Sequence, residues 1–361
     1  MTFHKVDHLM KEAVDRYVFP GGVLLVAVRG SVVFQRAYGW ADLFSRRQMT
    51  GDTVFDLASL TKPLATTLAA MRLVQGGDLE LDLPCQRYWP RLFRAEKASI
   101  TARHLLSHSS GLPPWRPYYL RLRSLQDFWR RKEVLAEWIA QETLLASPGN
   151  RACYSDIGFL VLQWLVERLA GQPMDRYLEG SIFKPLGIKD LFFNPEGRPV
   201  NERVYAATEL CPWRGLLLLG RVHDDNAYVL GGVGGHAGLF GTAQAVWKAL
   251  QTLLCIDAGA CANTVFDKVL LRRFLQRQNG TMWALGFDTP EKTGSSAGRH
   301  FSSQSVGHLG FTGTSFWMDR KRGIILILLT NRVHPSRYNL GIRSFRPLIH
   351  DAVMEAVNSV H

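Results

Sequence analysis

Apolar positions along the chain recur in two rhythms, and the change from one to the other divides it. Val6, Leu9, Met10, Ala13, Val14 and Tyr17 mark one helical face near the start, interrupted by Lys5, Asp7, Lys11, Glu12 and Asp15. Two apolar runs follow, 22–28 and 31–38, joined through Arg29-Gly30, a hairpin signal. A short β-branched run, 53–57, reads as a strand or an extended entry. Helical spacing then takes over at 60–76, where Leu60, Leu64, Leu68 and Met71 recur until Gly76-Gly77, and again at 100–108, 124–142, 154–170, 174–183, 242–256 and 265–276. Strands are expected again only at 311–318 and 323–330, before a last helix over 342–360. The pattern predicts an α/β fold: an antiparallel sheet built from both chain ends and flanked by helices, with a mostly helical lobe inserted. Within one domain spanning 1–361, the expected division is 1–57 plus 290–361 for the α/β lobe and 58–289 for the helical lobe. The lobes then meet near Ser59, a common place for a site.

Composition narrows the function classes. The 361 residues are 47% apolar and 20% charged, ordinary for a globular protein with a substantial core. No apolar run reaches transmembrane length, and the charges in the first helix leave no signal-peptide core, so the cytoplasm is the expected location if Met1 is the native start. Five cysteines without C-x-x-C spacing fit reduced thiols rather than a disulfide framework or a zinc site. The net charge of +12 is spread over scattered clusters, which points to a solvated basic surface and gives no nucleic-acid signature. His104, His108, His236 and His308 lack metal-ligand spacing, so neither a metal nor another cofactor is expected.

The chemistry begins at Ser59-Leu60-Thr61-Lys62, where the helix over 60–76 starts. A serine and a lysine three apart across a helix start lie on one face, which sets an ammonium beside a hydroxyl. A serine is a poor nucleophile until a neighbouring base takes its proton, and a helix N-terminus offers N–H groups to a developing oxyanion. Pro63 loses little in a first turn but disfavours a helical Lys62. Alone, the pattern is more often that of a cap and a surface cation, and Ser181-Ile182-Phe183-Lys184 matches it too. Pro185 and Gly187 follow that second match at once, which leaves its lysine no helix to sit on.

Two further stretches supply partners. Tyr154-Ser155-Asp156 opens a helix after a Pro-Gly loop, where nearby cations would favour the Tyr154 phenolate. Gly307-His308-Leu309-Gly310-Phe311-Thr312-Gly313-Thr314 heads a strand pair, and its glycines mark close approach by a ligand or another backbone.

Ser59-x-x-Lys62, Tyr154-x-Asp156 and His308-x-Gly310, in that order and with these separations, resemble the class C β-lactamase and penicillin-binding serine hydrolase family. The resemblance extends through residues 55–63, 104–113, 235–240 and 307–314, so it covers nearly the whole chain. It implies Ser59 as the acylated nucleophile, Lys62 and Tyr154 as its proton-transfer partners, and the N–H groups of Ser59 and Phe311 as the oxyanion hole. A literal Lys292-Thr293-Gly294 lies in a polar loop after Pro290 with no strand attached, so His308-Leu309-Gly310 is taken as the third motif.

The chain departs from the family pattern twice. Asp156 stands where many relatives carry Asn; a carboxylate cannot donate an amide N–H, and it favours the Lys62 ammonium over the free amine. His308 stands in place of a lysine, and a histidine of pKa about 6.5 is a cation only part of the time near neutrality. Both features weaken a β-lactamase expectation. The expected activity is acyl-enzyme hydrolysis of small esters or D-amino-acid amides, with weak penicillin hydrolysis or binding. The alternatives are a D-alanyl-D-alanine carboxypeptidase-type peptidase of cell-wall fragments and a non-catalytic basic binding protein of the same fold. The partner is then a small ester, amide or peptide, with no nucleic acid and no membrane span; oligomeric state leaves no trace in the sequence.

Overall fold

The run 22–28 is apolar without alternation because both of its faces are covered. In the computed structural model, which describes residues 2–196, 202–261 and 265–358, it forms a strand buried along its whole length. In chain order the strands are β1 (Gly21–Val28), β2 (Ser31–Asp42), β3 (Arg47–Gln48), β4 (Phe55–Asp56), β5 (Leu191–Phe193), β6 (Leu210–Cys211), β7 (Leu216–Leu217), β8 (Leu239–Gly241), β9 (Val306–Leu309), β10 (Ser315–Asp319) and β11 (Ile324–Thr330). Six of them form one antiparallel sheet in the order β3-β2-β1-β11-β10-β9. Its centre joins the two chain ends, with Gly22 opposite Thr330 and Val28 opposite Ile324.

The two-residue period of a strand sends alternate side chains into different cores. Leu24 and Val26 of β1, with Leu326 and Leu328 of β11, pack under the helices His4–Asp15 and Ile342–Asn358. Val23 and Leu25, with Ile325, Ile327 and Leu329, face the larger core shared with the helical region. The helix Ala243–Ala258 lies on β1 and β11 from that side, so part of the range 58–289 also covers the sheet.

Local assignments differ from expectation in several places. The span 311–318 is not one strand: residues 310–314 turn, and the strand proper is β10. Gly313 sits at φ +110°, and a Cβ at Gly310 would lie 2.7 Å from the Leu57 carbonyl oxygen, so the glycines serve a tight turn against the nucleophile segment. Strands also occur within 58–289, where β8 and β5 join β4, from the run 53–57, in a three-stranded sheet and β6–β7 form a hairpin. Of the helix expected over 124–142, Phe128–Gln141 is helical, and a separate short helix, Tyr119–Leu122, precedes the expected span. Residues 359–360 of the last predicted helix lie outside the described residues. Among the described residues no helix is long and apolar enough to cross a membrane.

Candidate active site

Ser59 does not cap a regular α-helix. The chain leaves β4, makes a 3-10 turn at Ala58–Leu60, widens into a π-type turn at Lys62–Thr66, and becomes α-helical only over Thr67–Gly76. The wide turn accommodates Pro63, which has no N–H to give and disfavours a regular α-helix before it. Ala58, directly before the serine, has φ +48°, a left-handed conformation costly for a residue with a Cβ. Its surroundings hold it there. The Ala58 N–H donates to Asp56 Oδ1 at 2.8 Å, and the Thr61 hydroxyl donates to the Ala58 carbonyl at 2.6 Å. The other Asp56 oxygen accepts the His223 N–H at 2.7 Å, which ties the bend to a distant loop.

Lys62 is fully buried among polar partners. Nζ lies 3.1 Å from Ser59 Oγ, 3.1 Å from the His236 carbonyl oxygen and 2.6 Å from Asp156 Oδ1. Burial pulls its pKa down, but Asp156, followed by Tyr154, outweighs burial and holds it above the usual lysine value. Tyr154 precedes the helix Asp156–Ala170, whose N-cap is Ser155, and its ring lies 4.8 Å from Lys62 Nζ. Lys62 and Ser59 both act on its hydroxyl in the sense that favours the phenolate. Burial pushes the phenol up to about 12; the Lys62 ammonium pulls against this and Asp156 adds to it. Both candidate bases are therefore protonated near neutrality.

The third motif is in place but electrically different from expectation. His308 lies in edge strand β9, paired with Phe316, and its Nδ1–H donates to the Leu309 carbonyl oxygen at 2.9 Å. Burial, followed by the Lys62 charge, drives its pKa down to about 3, so the ring is neutral at neutral pH rather than a part-time cation. The Gly310 N–H is bound to the Thr314 carbonyl at 2.7 Å, while the N–H groups of Ser59 and Phe311 have no acceptor among the described residues. Two free donors flanking the serine are what an oxyanion requires.

Several contributors were not singled out from the sequence. His108 packs its ring 4.6 Å from that of Tyr154 and accepts the Ser155 N–H on Nδ1 at 3.0 Å, fixing the tyrosine's approach. His236 contributes only its carbonyl, which no side-chain motif reveals. Arg332, Arg343 and Arg346 line a 460 Å³ cavity together with Ser59, Tyr154 and His308. Arg346 is 6% exposed and donates to the carbonyls of Gly310 and Thr314, each at 2.8 Å, while its Nε has no partner. Burial and then the charge of Arg332 lower its pKa to about 9. The i, i+3 spacing of Arg343 and Arg346 was legible, but a solvated helix face reads the same. The rejected stretch Lys292-Thr293-Gly294 has no strand, although Gly294 lines this cavity. Ser181 and Lys184 lie at the end of the turn Glu179–Phe183 and line neither cavity at Ser59.

The chain matches the Beta-lactamase family over residues 6–346. It belongs to that family of serine hydrolases. The curated relatives of this Beta-lactamase family member include the N-acetylmuramyl-L-alanine amidase of Bacillus subtilis (strain 168), 32% identical over 91% of this chain and 81% of the relative. Another is a "Putative D-alanyl-D-alanine carboxypeptidase" of Salmonella typhimurium, 29% identical over 92% of this chain and 83% of the relative. Among solved structures, the Beta-lactamase fold is shared with the penicillin-binding protein homologue from Pyrococcus abyssi, with TM-score 0.77, 20% identity, and coverage of 100% of this chain and 77% of that one. EstCE1, a hydrolase with promiscuous acyltransferase activity, superimposes with TM-score 0.74 at 24% identity, over 95% of this chain and 97% of its own.

The Asp156 contact carries a testable sign. Asp156 raises the pKa of both Lys62 and Tyr154, so Asp156→Asn lowers both and exposes a usable base at lower pH. The rising limb of the pH–rate profile on one ester is expected to move about 1–3 units toward acid. A limb that stays where it is in matched profiles of wild type and variant removes Asp156 from the proton-transfer unit.

Proposed function

We propose that this chain hydrolyses amide bonds in small peptides or acylated amino acids whose leaving amine carries a free carboxylate, through an acyl-enzyme on Ser59. In this reading Lys62 and Tyr154 move the proton from Ser59 to the leaving nitrogen, and the N–H groups of Ser59 and Phe311 hold the oxyanion. The observation that carries the substrate class is the arginine group at the nucleophile. Arg332, Arg343 and Arg346 line the cavity together with Asp288 and Glu291, three cations against two carboxylates. Burial pushes Asp288 up to about 6, so its charge weakens just below neutrality. A buried guanidinium with an unpaired Nε is costly alone and suited to a carboxylate.

The names of the relatives support the same class, since one is described as an amidase at N-acetylmuramyl-L-alanine and the other as a D-alanyl-D-alanine carboxypeptidase. Loss of the amino-acid carboxylate from the leaving side should be felt in either case. Small-ester hydrolysis is the second reading, favoured by bases held protonated, because an ester leaves with less help than an amide.

Release of alanine from N-acetyl-D-alanyl-D-alanine and from N-acetylmuramyl-L-alanine, each compared with its C-terminal carboxamide, tests the reading. The carboxylate forms are expected to be preferred at least tenfold in kcat/KM, the scale of one charge-assisted hydrogen bond of about 1.5–3 kcal/mol. Arg343→Ala, at an exposed position, is expected to shrink that preference through KM. Equal turnover of carboxylate and carboxamide would leave the ester reading in its place.

A further inference from the structure

Ser59 opens onto two cavities. The second, of 380 Å³, shares Ser59, Tyr154 and Phe311 with the arginine-lined one but has the opposite charge character. Asp156, Asp224 and Asp225 line it, with Arg337 as its single lysine or arginine. These acids are not equivalent. Asp225 is spent on structure, accepting from Trp213 at 3.0 Å, Arg214 at 2.8 Å and Arg337 at 3.1 Å. Asp156 holds Lys62. Asp224 differs: Oδ1 takes the Ala227 N–H at 2.7 Å and His236 Nε2 at 2.8 Å, while Oδ2 has no partner among the described residues. Burial raises its pKa, but His236 and the Ala227 N–H more than offset this, so it remains a carboxylate. Trp115, 43% exposed, lines the same cavity, and an indole ring is a group that attracts a cation.

A peptide bond has a fixed polarity that matches this arrangement. The free terminus on its leaving side is a carboxylate and the free terminus on its acyl side is an ammonium. With the carboxylate among the arginines, a short peptide straddling Ser59 sets its amino end beside Asp224. We propose that the second cavity binds the free ammonium group of the acyl residue through Asp224 and Trp115, so that short peptides with an unblocked amino terminus are the preferred acyl donors. The inference rests on the amide-hydrolase reading above and adds the identity of the acyl half. Ser59 attacks the peptide carbonyl, the C–N bond breaks as the leaving amine takes the proton, and water then releases the acyl residue and restores the hydroxyl.

The test compares alanyl-alanine with N-acetyl-alanyl-alanine, both in the D,D form, and with N-acetylmuramyl-L-alanine. The unblocked dipeptide is expected to exceed both blocked substrates about tenfold or more in kcat/KM. Its KM, unlike theirs, should rise above about pH 8 as the amino group loses its proton. In Asp224→Asn, which can still accept from Ala227 and His236, the preference for the unblocked peptide should fall at least tenfold, chiefly through KM. Blocked substrates turned over as fast or faster overturn this inference and leave amide hydrolysis standing. An unaltered preference in Asp224→Asn overturns it as well. Turnover of none of the three overturns it together with the reading beneath it.

Discussion

Ser59→Ala is expected to abolish covalent labelling by a penicillin or phosphonate probe and to lower hydrolysis by roughly six orders of magnitude, the cost of removing the nucleophile from a comparable charge system. The magnitude follows from what the hydroxyl does. It is the only one of the proposed catalytic groups that forms a bond to the substrate; without it the oxyanion donors and the arginine cavity only bind. The fold should tolerate the change, because Ser59 is half-buried and makes no capping hydrogen bond in its own turn. Lys62 loses one of its acceptors and keeps Asp156 and the His236 carbonyl. Ser181→Ala is the control, with the same residue type and the same spacing to a lysine, and it should leave turnover nearly intact. Intact-mass measurement after probe exposure reads the adduct directly. Comparable losses in the two variants would undo the assignment of the nucleophile.

The proposed catalytic residues were legible because three short motifs stand in an order and at separations that resemble a known family, whereas the Ser59-x-x-Lys62 spacing alone is ambiguous. Ser59 and Lys62 are one turn apart in sequence as well as in space, and Gly310 announces a close approach that the Leu57 carbonyl makes. The central sheet was legible because unbroken apolar runs such as 22–28 and 323–330 are what strands covered on both faces require. What could not be read depends on groups brought together from afar. The charge of His308 is set by its burial and by Lys62, neither of which its neighbours in sequence disclose. The arginines converge from the segment after β11 and from the last helix, and only the folded chain leaves the Nε of Arg346 buried without a partner. Strands β5 and β8 are three residues long, too short for a period of two to register. The strand expected over 311–318 has a turn at 311–314 because Gly313, at φ +110°, does not permit a regular ladder, although Phe311, Thr312 and Thr314 have strand character.

Lys62→Ala and Tyr154→Phe are each expected to lower kcat/KM on the order of a thousandfold or more, the range of general acid–base catalysis, with the fold intact by thermal melt. Their effects should not multiply. Lys62 lies against the Tyr154 ring, each side chain alters the other's proton affinity, and both reach Ser59, so they titrate as one unit with shared apparent pKa values. One proton must leave that unit before Ser59 can be activated, which explains why protonated resting bases are compatible with catalysis that grows toward alkaline pH. The two single variants should separate in sign. Lys62→Ala removes the cation that holds the Tyr154 phenol down, so its residual activity should rise only at higher pH. Tyr154→Phe removes a group that raises Lys62, so its residual limb should lie at lower pH than that of Lys62→Ala. The double variant should be little worse than the worse single, as for groups that act together. A double variant whose loss equals the product of the single losses, with both limbs unmoved, would mean that Lys62 and Tyr154 work independently and that the proton leaves Ser59 by another route.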